Sequence, residues 1–80
     1  LEATVVPCAH GFDISVDLPA TIGKTALALH NATGQLLWSS IREGVRGRTS
    51  LIAETGAVPA GLYILSVTQG DRTLTKRVVR

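Results

Sequence analysis

Short runs of alternating apolar and polar residues, separated by turn-forming residues, most limit the folds that this chain can adopt. Residues 12–18 alternate without a fault over seven positions. Successive side chains in a β-strand point to opposite faces, so we expect Phe12, Ile14, Val16 and Leu18 to face a core. No segment has the periodicity of an amphipathic helix. The pattern therefore predicts an all-β protein.

Turn residues divide the rest of the chain in the same way. Gly34 ends an Asn-Ala-Thr-Gly turn and suits a left-handed backbone conformation, and Gly70 with Asp71 supplies a two-residue hairpin turn. Residues 19–24 and 42–48 are predicted to be loops. Strands are predicted at 3–8, 12–18, 25–30, 35–41, 49–53, 62–69 and 72–80. About seven short antiparallel strands spaced in this way are typical of an immunoglobulin-like β-sandwich.

Two of the predicted strands carry local irregularities. Pro7 cannot donate a backbone hydrogen bond, so we expect the first strand to lie at a sheet edge. Residues 36–38, Leu-Leu-Trp, are apolar on both faces, and we favour Leu37 as the core residue and Trp38 as a partly covered flank. The remaining residues predicted to face the core are Leu27, Leu29, Tyr63, Leu65 and Val67.

The composition indicates one small globular domain. Of the 80 residues, 45% are hydrophobic and 18% are charged, which is enough apolar material for a single core. The net charge is only +2, and the basic residues are scattered except near the C-terminus, so no nucleic-acid partner is expected. No apolar run approaches the ~18 residues of a membrane span. Because the chain opens without a methionine, we expect it to be a module cut from a longer protein.

Reactive and metal-binding side chains do not form a catalytic pattern. Cys8 and His10 match no zinc-binding spacing, and a lone cysteine cannot form an intrachain disulfide. Asn31 begins an Asn-x-Thr acceptor for N-glycosylation, but asparagine also caps turns of this kind, which is the interpretation we favour. Five of the six carboxylates are scattered over predicted strands and loops, and no two have the spacing of a paired acid and base: Asp13, Asp17, Glu43, Glu54 and Asp71. We therefore expect no enzyme activity, no cofactor and no metal site.

Three segments together carry a resemblance to a known family. They are residues 29–37 (LHNATGQLL), 58–67 (VPAGLYILSV) and 70–80 (GDRTLTKRVVR). In their order and spacing they resemble the C-terminal sorting domain (type A) of proteins exported by type IX secretion. The resemblance extends from about residue 6 to residue 80, although the family's usual Pro-Asn-Pro start is replaced here by Val-Pro-Cys-Ala-His.

The resemblance implies a non-catalytic domain, residues 1–80, at the C-terminus of a larger secreted enzyme or adhesin of a Gram-negative bacterium. Such a domain directs its upstream cargo through the periplasm to the cell surface. The implied partners are the outer-membrane secretion machinery and a sortase-like peptidase. The recognition residues that it implies are Gly61, Tyr63, Lys76, Arg77, Val78, Val79 and Arg80.

The residues alone leave other functions open. An exposed terminal strand can be extended by a partner strand, and its basic side chains would orient it against an acidic receptor. Charged edge strands more often protect against aggregation, and only the resemblance favours recognition. The alternatives are a carbohydrate-binding module, for which Trp38 is the one candidate sugar-stacking ring, and a fibronectin-like spacer, either of them attached to a secreted glycoside hydrolase.

Overall fold

The prediction of an all-β sandwich is confirmed. A computed structural model describes residues 2–18, 24–43, 47–56 and 58–80, and these ranges contain no helix. Residues 19–23 of the loop predicted at 19–24 lie outside them, as do residues 44–46 of the loop predicted at 42–48, and Lys24 begins a strand instead. The strands are β1 (Glu2–Cys8), β2 (Gly11–Leu18), β3 (Lys24–Asn31), β4 (Leu36–Glu43), β5 (Gly47–Ala53), β6 (Leu62–Gln69) and β7 (Arg72–Val79).

The seven strands form two antiparallel sheets that pack face to face. One sheet has the order β1-β2-β5 and the other the order β4-β3-β6-β7. In constant-type immunoglobulin domains the fourth strand lies beside the fifth. Here β4 pairs with β3 instead, so the four-stranded sheet is the larger one.

The predicted loop at 42–48 is wrong at both of its ends. Arg42 and Glu43 continue β4, and Gly47 and Arg48 begin β5. Each pair extends an antiparallel ladder, with β3 and β2 respectively. Cross-strand pairing therefore outweighs the weak strand preference of glycine and charged residues at these positions.

The core lies between the two sheets, where the alternating residues meet. All predicted core residues of β2, β3 and β6 whose side chains are described are buried: Phe12, Ile14, Val16, Leu27, Leu29, Tyr63, Leu65 and Val67. The side chain of Leu18 lies outside the described part. The rings of Phe12 and Tyr63 come from opposite sheets, with centroids 5.2 Å apart and planes tilted by 52°. Such an aromatic pair adds about 0.5–1.5 kcal/mol beyond its buried area.

A β-bulge explains why the face of the Leu-Leu-Trp run is ambiguous in the sequence. Leu29 pairs with Trp38 and the next residue of β3, His30, pairs with Leu36, so Leu37 is an extra residue in β4. Leu37 and Trp38 are both half-buried and pack against the core, while Leu36 is exposed. The prediction that Trp38 is partly covered is confirmed. Because of the bulge, Leu37 and Trp38 both pack against the core, although they are consecutive residues.

The two ends of the sandwich are built differently. The corner end comprises the turn between β1 and β2, the turn between β3 and β4, residues 54–56 and 58–61, and Arg80. The hairpin end contains the Gly70–Asp71 turn, the start of β1 and the start of β3. Gly70 has φ +62°, while no non-glycine residue of the described chain has a positive φ, which is the pattern of a type II′ hairpin turn.

Candidate recognition surface

The C-terminal strand β7, which carries most of the predicted recognition residues, is an edge strand. It pairs with β6 along its whole length in an unbroken antiparallel register. Its other side lies against β1 of the opposite sheet. In the described part of the chain, no ladder joins β1 to β7. Adding a partner strand to β7 would therefore require β1 to move aside.

The register with β6 separates the predicted residues of β7 onto two faces. Lys76 and Val78 lie opposite core residues of β6, whereas Arg77 and Val79 lie on the outer face of the sheet. Val78 is buried, but Lys76 is exposed because an edge strand lets a long side chain reach water. Arg77 is also exposed, and Val79 is 72% exposed although it is apolar. Three of these four side chains are thus accessible to a partner.

Two of the predicted recognition residues bind each other. The Arg80 N–H donates to the Gly61 carbonyl at 2.9 Å, and the Gly61 N–H donates to the Arg80 carbonyl at 3.1 Å. The Arg80 guanidinium then crosses to the other sheet, where Nη1 donates to the carbonyls of Cys8 at 2.9 Å and Gly11 at 3.4 Å. Arg80 therefore links the two sheets, and its charge is not free for a partner while these bonds remain.

Tyr63 holds the corner before β6. Its hydroxyl donates a hydrogen bond of 2.5 Å to the carbonyl of Pro59, four residues upstream, and its side chain is only 4% exposed. This is the tyrosine corner known from immunoglobulin-like sandwiches, where the ring fixes the crossing between sheets. A partner could not contact the ring without unfolding this corner.

The accessible residues of β7 continue into a neighbouring apolar surface. Arg77 lies opposite Ile64 of β6 and Val79 lies opposite Leu62, on the outer face of the sheet. Both β6 residues are half-buried, so part of each side chain remains accessible. We call Leu62, Ile64, Arg77 and Val79, together with Lys76, the recognition strip; Lys76 is exposed at the same edge but lies on the core-facing side of β7. Neither of its cations forms an ion pair within the described residues.

The sequence prediction did not include the two β6 residues of the strip, although the signal was present. A two-residue turn at residues 70–71 places Gln69 opposite Arg72 and so fixes every later pair of the hairpin. Counting back from that turn identifies Leu62 and Ile64 as the outer-face neighbours of β7.

The other candidate sites remain separate. Cys8 is a half-buried free thiol, and His10 is exposed on the adjacent turn. In the ranges that the structure describes, no three His, Cys, Asp or Glu side chains lie close enough together to hold a metal ion.

Asn31 caps the turn between β3 and β4. Its Oδ1 accepts hydrogen bonds from Thr33 N at 3.1 Å, Thr33 Oγ1 at 2.8 Å and Gln35 N at 2.9 Å. Its Nδ2 donates to Gln35 Oε1 at 3.1 Å. Gly34 takes the expected left-handed conformation, with φ +89°. The capping interpretation of Asn31 is confirmed.

The carboxylates lie on exposed surfaces. Glu43 forms an ion pair with Lys24 at 3.7 Å, and both side chains are 70% exposed. Glu2 and Asp17 are register partners on the outer face of the three-stranded sheet, a pairing that the sequence analysis missed. With Arg48 they line a shallow depression of about 30 Å³, whereas ligand pockets measure roughly 300–1,000 Å³. The depression is too small for a substrate.

The aromatic residues do not form a sugar-binding platform. The sequence contains only Phe12, Trp38 and Tyr63. Phe12 and Tyr63 are buried, and Trp38 is half-buried with its side chain packed against the core. Trp38 is therefore the one of the three rings with substantial accessible surface for stacking on a carbohydrate.

Comparisons with known proteins do not assign the chain to a family. No protein-family model matches the sequence, and a search of curated proteins found no match either. Across the described ranges, no helix is long and apolar enough to cross a membrane.

Proposed function

We propose that this domain is a non-catalytic sorting module whose recognition strip is bound by the outer-membrane machinery of type IX secretion. In this proposal the domain directs an upstream enzyme or adhesin to the cell surface, where a sortase-like peptidase processes it. The proposal joins the sequence resemblance to the accessible surface on and beside β7.

One observation supports this proposal most directly. Lys76 and Arg77 are exposed neighbours on an edge strand, and no ion pair or hydrogen bond from their side chains is present in the described part of the chain. Unpaired cations beside exposed apolar surface suit a partner that presents carboxylates around an apolar centre. Val79 supplies the most exposed large apolar side chain of the strip.

The predicted residues differ in whether a partner can contact them. Lys76, Arg77 and Val79 would bind the partner directly. The others would act through the shape of the domain: Tyr63 and Val78 are buried, and Gly61 pairs with Arg80. Changes at this second group are expected to reduce sorting only as far as they reduce folding.

Export of a fused reporter tests the proposal. The domain is attached to a reporter in a bacterium with type IX secretion, and Lys76→Glu/Arg77→Glu is compared with the unchanged sequence. Reversal of both charges is expected to lower surface display at least ~10-fold, because close opposite charges become repulsive across an interface. Circular dichroism and thermal unfolding of each purified domain establish that folding is retained.

Arg42→Glu/Arg72→Glu is the matched control, because both residues are exposed cations at the hairpin end, outside the strip, and their double reversal changes the net charge by the same amount. We expect display of this variant to remain near that of the unchanged domain. Full display of the doubly reversed domain would refute the proposal and favour a spacer. Equal loss in the control would show that net charge, rather than the strip, is responsible.

The carbohydrate-binding alternative has a separate test. Affinity electrophoresis on several polysaccharides compares the unchanged domain with Trp38→Ala. Because the Trp38 side chain packs against the core, we expect no retardation by any polysaccharide. Retardation that Trp38→Ala abolishes, with folding retained, would favour sugar binding instead.

A further inference from the structure

The sandwich has four edge strands, and their surroundings differ. They are β1 and β5 in one sheet and β4 and β7 in the other. β1 and β7 lie against each other at one side of the molecule. On the opposite side, β5 lies beside β2, and β4 lies beside β3. Within the described chain, no comparably close strand covers the outer edge of either β5 or β4.

Three of the edges carry features that hinder strand addition. β1 contains Pro7, which cannot donate a backbone hydrogen bond. β7 has Lys76 on its core-facing side, and β4 has both the bulge at Leu37 and the exposed Arg42 opposite buried Thr25. Prolines, bulges and inward-pointing charges are the devices that keep edge strands from pairing with other chains.

β5 has none of these devices. Its seven residues pair with β2 in one register without a bulge, and it contains no proline. Leu51 and Ala53 on its core-facing side are buried. On its outer face Ile52 is 58% exposed, and Arg48 is the one charged residue of the strand. A regular edge with one charged residue and an exposed Ile52 favours the addition of another strand.

We propose that β5 pairs with β5 of a second copy of this chain, antiparallel about a two-fold axis through Leu51. The two three-stranded sheets would then form one six-stranded sheet. A two-fold pairing centred on a residue keeps the core-facing sides of both copies on the same side of that sheet. At the axis, Leu51 of one copy lies opposite Leu51 of the other, both on the core-facing side.

The positions of the charges favour Leu51 over Ser50 as the centre of the pairing. Centred on Leu51, the pairing places Arg48 of each copy opposite Glu54 of the other, giving two pairs of opposite charge. Glu54 follows β5 directly and is exposed, and the main chain turns there, with the Thr55 N–H donating to the Ala53 carbonyl at 2.9 Å. The Arg48–Glu54 pairs would therefore join side chains at the ends of the new ladder. Centred on Ser50, the same pairing would place Arg48 opposite Ile52. Arg48 lies opposite Asp17 of β2 but forms no ion pair with it in the described chain, and its exposed side chain can turn to Glu54 of the second copy.

Sedimentation measurements test the pairing. The 80-residue chain is examined from about 10 μM to about 1 mM, a range that detects even weak association. The average mass is expected to rise toward twice the chain mass of 8.4 kDa. A chain that remains monomeric up to the highest concentration would overturn the proposal.

Charge reversals identify the surface involved. Arg48→Glu and Glu54→Arg are each expected to weaken association at least ~5-fold, because both symmetric pairs become like-charged, and the double reversal should restore it to within about two-fold. Arg72→Glu, which makes the same charge change on β7, should leave association unchanged. Association that survives the single reversals, or that the double reversal does not restore, would show that another surface pairs.

Discussion

The corner end and the hairpin end of the sandwich contrast in how they are held together. At the corner end, Tyr63 donates to the main-chain carbonyl of Pro59 nearby in the sequence. Arg80 binds main-chain groups of Gly61, Cys8 and Gly11, which lie far from it in the sequence. At the hairpin end, Lys24 and Glu43 form an exposed ion pair, and Gln69 donates to Thr25 at 3.2 Å while its Oε1 is buried without a partner in the described chain.

The contrast shows that Gly61, Tyr63 and Arg80, three of the residues that the family resemblance implies for recognition, stabilise the fold itself. A partly buried hydrogen bond to a main-chain carbonyl leaves that carbonyl unsatisfied when it is lost, whereas an exposed ion pair is readily replaced by water. We therefore expect substitutions at the corner end to cost much more stability than matched substitutions at the hairpin end.

The largest effect is expected at Tyr63. Tyr63→Ala should lower the free energy of unfolding by about 3–5 kcal/mol, because it removes a buried ring and its contact with Phe12. Tyr63→Phe should cost only about 1 kcal/mol, since it removes the hydrogen bond to Pro59 and keeps the ring. Urea denaturation measures both. A loss below ~0.5 kcal/mol for Tyr63→Ala would mean that the corner does not depend on this ring.

Two glycines provide a matched pair between the ends. A Cβ at Gly11 would lie 1.9 Å from the carbonyl oxygen of Ala53, whereas at Gly70 no atom lies within 4 Å. Both have positive φ, so both alanine variants carry backbone strain. We expect Gly11→Ala to cost about 3 kcal/mol or more and Gly70→Ala about 1–2 kcal/mol.

Thermal and urea unfolding of the two alanine variants give this comparison directly. Equal losses at Gly11 and Gly70 would contradict it, because the close approach to Ala53 would then add nothing to the backbone strain.

The smallest difference between the two ends is expected when one cation at each end is replaced. Arg80→Met keeps most of the aliphatic stem but removes the hydrogen bonds to Cys8 and Gly11, so a loss of about 1–2 kcal/mol is expected. Lys24→Met removes the exposed ion pair with Glu43 and should change stability by less than ~0.5 kcal/mol. The comparison fails if Lys24→Met proves as costly as Arg80→Met in the same denaturation experiment.

Much of the fold could be predicted from the sequence, because alternation and turn chemistry act locally. Residues 12–18 identified β2 and its buried face, and Gly70 with Asp71 identified the final hairpin. The bulge at Leu37 could not be predicted, because an extra residue in β4 is defined only by pairing with β3. The same holds for the ends of β4 and β5, which pairing extends into the predicted loop.

The candidate surface was predictable only in part. The basic C-terminal strand was identified from its composition, and its register could be counted from the hairpin turn. The hydrogen bonds from Arg80 to Cys8 and Gly11 join residues that are 72 and 69 positions apart. No local sequence pattern indicates such a contact. The sequence therefore could not show that Arg80 binds its own chain, whereas Lys76 and Arg77 form no ion pair within the described residues.

The shared direction of β1 and β7 has a mechanical consequence. β1 starts at the hairpin end, and β7 finishes at the corner end, beside the end of β1. Tension applied between Glu2 and Arg80 would pull each of these strands lengthwise along its neighbour. The hydrogen bonds of each ladder would then be loaded in shear, many at once, instead of being unzipped one after another. A domain linked in this way between two other bodies would resist stretching better than its size alone indicates.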